Sequence, residues 1–274
     1  MTKTKKLNHI IIFVILTYLF AISSVESRVG FSGVVLSAEA APGEHISHDL
    51  ITTLSSDDAS PLNLTVDILE WYQNPSGANL GAKDNPEMAP YSAKNFLSVS
   101  PKNFTLKPGT SQNIKIEGNM PAGDGGRYAI IFAHTVPKVG KGEQGVAISV
   151  GMNTLVLLTI SGSNLIKTGE IENLSLIDPI SAKQQNLSMA FRNTGNIHFK
   201  VNINASLKDE KGNILAASTP DSGGSIIPTA SRRIRFPMTP DSELKPGAYI
   251  LGVNVTLADG TLLAAKETKF EIKS

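Results

Sequence analysis

Cysteine is absent from all 274 residues. That excludes disulfides, thiolate metal sites and a cysteine nucleophile. Charge is sparse as well: Asp, Glu, Lys and Arg make up 18% of the chain and the formal net charge is +1. No basic surplus is available for sequence-independent binding to nucleic acid. Aromatic residues amount to 6%, with a single tryptophan, Trp71. The spacings HExxH, GxSxG, GxGxxG, the P-loop and the calcium loop are all missing. Asp57 and Asp58 are adjacent carboxylates, but they lie in a Ser-rich polar stretch with no apolar setting to move a pKa. These absences argue against an enzyme, and no cofactor is expected.

What is present points to a turn-rich, all-β protein. Hydrophobic residues reach 41%, alongside 23 glycines and 15 prolines. The N-terminus stands apart. Lys3, Lys5 and Lys6 precede an apolar run from Ile10 to Ile22, and small residues follow at Ser23, Ser24 and Ser27. This is the order of a secretory signal. The run falls short of the roughly 20 residues needed to span a bilayer. Residues 1–27 therefore read as a signal peptide cut after Ser23 or Ser27, with an uncleaved anchor as the alternative. Its removal takes away three lysines and one glutamate and leaves a near-neutral chain. The expected location is secreted or envelope-associated, outside the cytoplasm.

Beyond residue 28 the chain alternates with period two. Leu62, Leu64, Val66 and Ile68 interleave with Asn63, Thr65 and Asp67. Leu187, Met189 and Phe191 form a similar row, as do Phe199 to Leu207 and Tyr249 to Leu257. Strands of this kind bury one face and solvate the other, as in antiparallel sandwiches. Lys208–Asn213 and Ala258-Asp259-Gly260-Thr261 carry hairpin-turn chemistry between strands. Asn74–Pro90 reads as an irregular insertion, and Pro137–Gly145 as a polar glycine-rich loop. A break at Ser161–Gly169 divides the chain into residues 28–163 and 170–274, each the size of an immunoglobulin-like sandwich. Tyr249 after Pro246-Gly247, and Tyr128 after Gly126-Arg127, are both placed to act as tyrosine corners.

Candidate sites are few. His45 and His48 are three apart on a strand and so point to opposite faces, which is poor geometry for a shared metal. Trp71, Tyr72 and Tyr91 flank the insertion and form a candidate aromatic surface for a ligand such as a sugar ring; a tryptophan packed in the core is the competing reading. Six Asn-x-Ser/Thr sequons, at Asn63, Asn103, Asn173, Asn186, Asn204 and Asn254, are candidate glycosylation sites. Asn63, Asn186, Asn204 and Asn254 fall on the polar rows of their strands. The alternating Val146, Ile148, Val150 and Met152 make a candidate edge for strand addition to a partner sheet.

Several stretches together carry a resemblance. Leu36-Ser37 precedes Ala41-Pro42-Gly43-Glu44. Val99-Ser100-Pro101 and Phe104 lead into Leu106-Lys107-Pro108-Gly109, Ser111, Ile114 and Ile116, followed by Gly126-Arg127-Tyr128-Ala129-Ile130-Ile131-Phe132. The second half adds Asn193-Thr194-Gly195-Asn196-Ile197-His198 and the Leu244–Tyr249 turn. This pattern resembles the two-domain immunoglobulin-like surface proteins that interact with WxL proteins. It is also similar to periplasmic pilus-assembly chaperones. The resemblance implies two tandem immunoglobulin-like β-sandwiches and non-catalytic work. The first likeness implies an adhesion or scaffold module holding a cell-wall polymer or a surface protein. The second implies a chaperone that holds pilin-like subunits by strand addition. Two departures stand out. The surface family's C-terminal membrane span and basic tail are missing. The pilus chaperones' basic pair finds only Arg28, because Val146–Ile160 contains no Lys or Arg.

Overall fold

The computed structural model describes residues 29–136, 149–178 and 180–273. The strands, in chain order, are β1 (Val29–Ser32), β2 (Val35–Ala40), β3 (His45–Leu54), β4 (Leu62–Gln73), β5 (Asn79–Ala82), β6 (Leu97–Ser100), β7 (Asn103–Leu106), β8 (Ser111–Asn119), β9 (Gly126–Thr135), β10 (Gly151–Ile160), β11 (Gly169–Ile177), β12 (Gln185–Asn193), β13 (Asn202–Asp209), β14 (Ile214–Ser218), β15 (Ser231–Met238), β16 (Gly247–Thr256) and β17 (Leu262–Ile272). They form two tandem immunoglobulin-like sandwiches. The first pairs the sheet β1-β3-β8-β6 with the sheet β2-β10-β9-β4, to which β5 and β7 add along β4. The second pairs β11-β12-β15 with β14-β13-β16-β17.

Inward rows build the cores as the alternation requires. Leu50, Val66, Ile114, Ile116, Ile131, Val156 and Leu158 fill the first sandwich. Leu187, Met189, Phe191, Leu251, Val253 and Val255 fill the second. The strand β9 departs from alternation: Tyr128, Ala129, Ile130 and Ile131 are all buried. Its outward residues join the other core, because Trp71, Met88, Tyr128 and Ile130 belong to one apolar cluster with the second sandwich.

The segment Asn74–Pro90 is more regular than its composition predicts. It contains β5, hairpin-paired to β4 from Glu70 to Gln73, and a short 3-10 helix, Pro86–Tyr91, that buries Met88. The Asn74 side chain organises the hairpin turn by accepting from the backbone of Ser76 and Ala78. The expected long strand from Phe199 also starts later, at Asn202; Phe199 makes only an isolated bridge to Ile226.

One glycine decides where the first sandwich is open. β1 pairs antiparallel with β3 in one sheet, whereas β2 pairs in parallel with β10 in the other. The chain crosses between sheets at Gly33, which has φ 75°. A Cβ there would collide with the Asp49 carbonyl, so both the dihedral and the space demand glycine. The His48 Nε2 lies 2.7 Å from the Gly33 carbonyl and braces the crossing. β2 consequently begins opposite Leu155, part-way along β10.

Candidate functional site

The late start of β2 leaves the first residues of β10 without a neighbour on one side. The Leu155 amide donates to the Val34 carbonyl at 3.1 Å. Gly151 and Asn153 turn their backbone groups to that same side, and among the described residues no strand covers them. The side chains tell the same story. Thr154, Val156, Leu158 and Ile160 point inward and are buried. Met152 and Val150 continue this inward row beyond the sandwich and lie bare, 41% and 59% exposed. Val136, at the end of the neighbouring β9, is 48% exposed. An open backbone edge and an uncovered apolar row thus coincide at one end of one strand. This is the chemistry that an added strand needs: main-chain pairing plus pockets for alternate side chains. Val150 and Met152 of the expected edge lie here; Val146 and Ile148 lie outside the described residues, as does Arg28. No basic side chain projects from β10.

Thr154 adds a local oddity. It is fully buried in β10's inward row, and among the described residues its hydroxyl has no hydrogen-bond partner. On β3, Thr52 is equally buried between Leu50 and Leu54, where the main core cluster gives way to the small cluster of Leu54, Leu64 and Leu106.

The aromatic candidates separate. Trp71 is 2% exposed. It packs edge-on against Tyr128 with ring centroids 5.8 Å apart, and its indole N–H donates to Asn79 Oδ1 at 3.2 Å. Only Tyr72 and Tyr91 keep partly exposed surface. Tyr72 lines a cavity of about 260 Å³ between the sandwiches, with Gln73, Met88, Arg192, Thr229 and Ser231. Thr229 holds φ 68° there, a costly conformation for a β-branched residue. Arg192 and Ser231 both engage Glu172, at 3.7 Å and 2.5 Å.

The two candidate tyrosine corners also separate. The Tyr249 hydroxyl donates to the Lys245 carbonyl four residues back, as a corner requires. Tyr128 does not form a corner. Its hydroxyl reaches the second sandwich, accepting from the His198 amide at 2.8 Å and lying 3.0 Å from His198 Nδ1. The reason is spatial: β9 turns this side chain outward, away from its own core and toward the 193–201 connection. Gly126 makes the approach possible. Its amide donates to the Asn196 carbonyl at 2.8 Å, and a Cβ on it would collide with the Tyr128 hydroxyl. Burial raises the Tyr128 pKa above the usual phenol value and lowers that of His198, which Lys167 lowers further.

The sequons sit mostly in the open. Asn103, Asn173, Asn186, Asn204 and Asn254 are exposed and Asn63 is half-buried. Asn204 and Asn254 face each other across β13 and β16. Asn63 and Asn103 are engaged reciprocally: Thr105 donates to Asn63 Oδ1 at 2.8 Å and Thr65 to Asn103 Oδ1 at 2.9 Å. His45 is exposed beside Asn119, and His48 serves the Gly33 crossing. Among the described residues, no group of three His, Asp or Glu side chains is placed to hold a metal ion, and no helix is long and apolar enough to cross a membrane.

No protein-family model and no curated protein matches the chain. Solved structures with a similar arrangement of strands exist. The class 5 fimbriae chaperone CfaA is 12% identical over 90% of this chain and 99% of its own, with a TM-score of 0.44. The SafB chaperone, in complex with the Salmonella enterica SafA pilin, is 12% identical over 91% and 99%, with a TM-score of 0.39. The E. coli chaperone DraB is 13% identical over 90% and 98%, with a TM-score of 0.39. At these values the likeness concerns the tandem sandwich architecture and carries no argument about activity or partner.

Proposed function

We propose that the protein is a non-catalytic holder that binds an extended segment of a partner along the open edge of β10, as a chaperone of pilin-like subunits would. One observation carries this reading. The inward row of β10 runs past its own core into Met152 and Val150 just where, among the described residues, the backbone of Gly151 and Asn153 lacks a neighbour. Covering two such side chains is worth about 1.5–3 kcal/mol each when burial is complete, and the backbone pairs add register. Since β10 carries no Lys or Arg, holding relies on apolar contact and main-chain bonds rather than on a charge clamp. The N-terminal signal expected for residues 1–27 places this work outside the cytoplasm. Two units, residues 28–163 and 170–274, then divide it: the first offers the edge and the second backs the joint.

The test is capture from a native envelope extract with the tagged protein and its Val150→Asp/Met152→Asp variant. The parent retains surface or pilus subunits and the variant loses them. Equal retention by both rejects the reading.

A second reading is the envelope adhesion or scaffold module, binding a wall polymer or a surface protein. The partly exposed Tyr72 in the cavity beside Arg192 is the observation that favours it. Retention on isolated cell wall that is lost in Tyr72→Ala and kept in the Val150/Met152 variant would select it.

A further inference from the structure

We propose that Tyr128 and His198 form a proton-sensitive latch at the joint between the two sandwiches, closed while the imidazole is neutral and released when it takes up a proton. The inference stands apart from the β10 edge and from any partner.

The geometry suits one arrangement of the protons. The Tyr128 oxygen already accepts the His198 backbone N–H at 2.8 Å. The single phenol proton is then free to point to His198 Nδ1, 3.0 Å away. Nδ1 must be the bare nitrogen to receive it, so the neutral ring carries its proton on Nε2. A second proton on the ring goes to Nδ1 and faces the hydroxyl donor to donor. The phenol must then accept twice and turn its own proton elsewhere. Tyr128 is 0% exposed, and the two rings beside it, Trp71 at 5.8 Å and the imidazole at 5.7 Å, both meet it edge-on. No water reaches the rejected proton, and a buried donor without an acceptor is costly.

The surroundings do not rescue the cation. The charged or titratable groups that act on the pair are Lys167, on the connection between the sandwiches, at His198, and Arg127 and Tyr91 at Tyr128. Two of the three are cations. Among the described residues, the histidine ion pairs are His45–Glu117 and His134–Asp67, and His198 has none. Desolvation, with Lys167, keeps the ring's pKa below the ordinary value. The sign follows: the open joint binds the proton more readily than the closed one, so closure is complete above about pH 6.5 and weakens as pH falls from there toward the ring's lower value in the joint.

Hydrogen exchange read by NMR on the unaltered protein tests this. Three amides report on the joint: Gly126 to the Asn196 carbonyl, Arg233 to the Pro75 carbonyl and Ile227 to Gln73 Oε1. After correction for intrinsic exchange, their opening should rise about tenfold for each pH unit below 6.5 until the ring titrates in the closed joint. Amides of the β3–β8 ladder should stay level. The rise should end where the His198 ring resonances titrate, and it should be absent from His198→Gln. Joint amides whose opening is flat with pH overturn the latch. So does an equal slope in His198→Gln, or, should that variant not fold, a rise in the parent that does not track the His198 titration.

Discussion

The Tyr249 hydroxyl donates to the carbonyl of Lys245 at 2.7 Å, and its ring stacks on Phe270 with centroids 5.6 Å apart. One residue thus ties the entry of β16 to the loop before it and to the last strand. Tyr249→Phe keeps the ring and removes the bond. The expected loss is about 0.5–1.5 kcal/mol, read as a lower urea midpoint, with the β10 edge unaffected.

The crossing at Gly33 is more demanding. Gly33→Ala meets both the left-handed dihedral and the Asp49 carbonyl. A cost on the order of 1–3 kcal/mol is expected from the dihedral alone. Urea unfolding should show it, and a variant as stable as the parent would mean that the chain crosses the sheets elsewhere.

Thr154 predicts the opposite sign. Its buried hydroxyl has no partner among the described residues, and Thr154→Val replaces it with a methyl of nearly the same shape. Removing an unsatisfied polar group should stabilise by about 1 kcal/mol. A thermal melt would show the rise; a fall would reveal a hydrogen bond that Thr154 makes in solution.

Tyr128 predicts an alkaline limit. Its pKa is raised, chiefly by burial. The unfolded chain therefore releases this proton first, near pH 10, while the folded protein keeps it. Stability should fall as pH rises above about 10. Comparing urea midpoints at pH 9 and 11 checks this. Tyr128→Phe should be weaker at pH 9 yet lose less between the two pH values than the parent does.

Much of the fold was legible in the sequence because it is local. Period-two rows such as Leu187, Met189 and Phe191 became inward rows, and Asp259-Gly260 made its turn with the Gly260 amide on the Leu257 carbonyl. Tyr249 was legible for the same reason, since its partner is four residues away. Tyr128 was not, because its partner is 70 residues away in the other sandwich. Trp71 carried two readings that only burial separates. The open edge was half legible: alternation marks Val150 and Met152 as one row, but its exposure depends on where a strand from residue 35 happens to begin. The reciprocal bonding of Asn63–Thr105 and Thr65–Asn103 required the β4–β7 register, which no local pattern contains.

The parallel pairing of β2 with β10 sets Val35 against Leu155, roughly 120 residues later. A chain emerging from its N-terminus therefore delivers β2 long before anything exists to receive it. Until β10 arrives, β2 with its inward residues Leu36 and Ala40 has no strand to pair with, and of the two sheets of the first sandwich only β1-β3-β8-β6 can be complete. Closure of that sandwich is a late event however early its first strand appears, and any helper or hazard acting on the nascent chain has that whole interval in which to act.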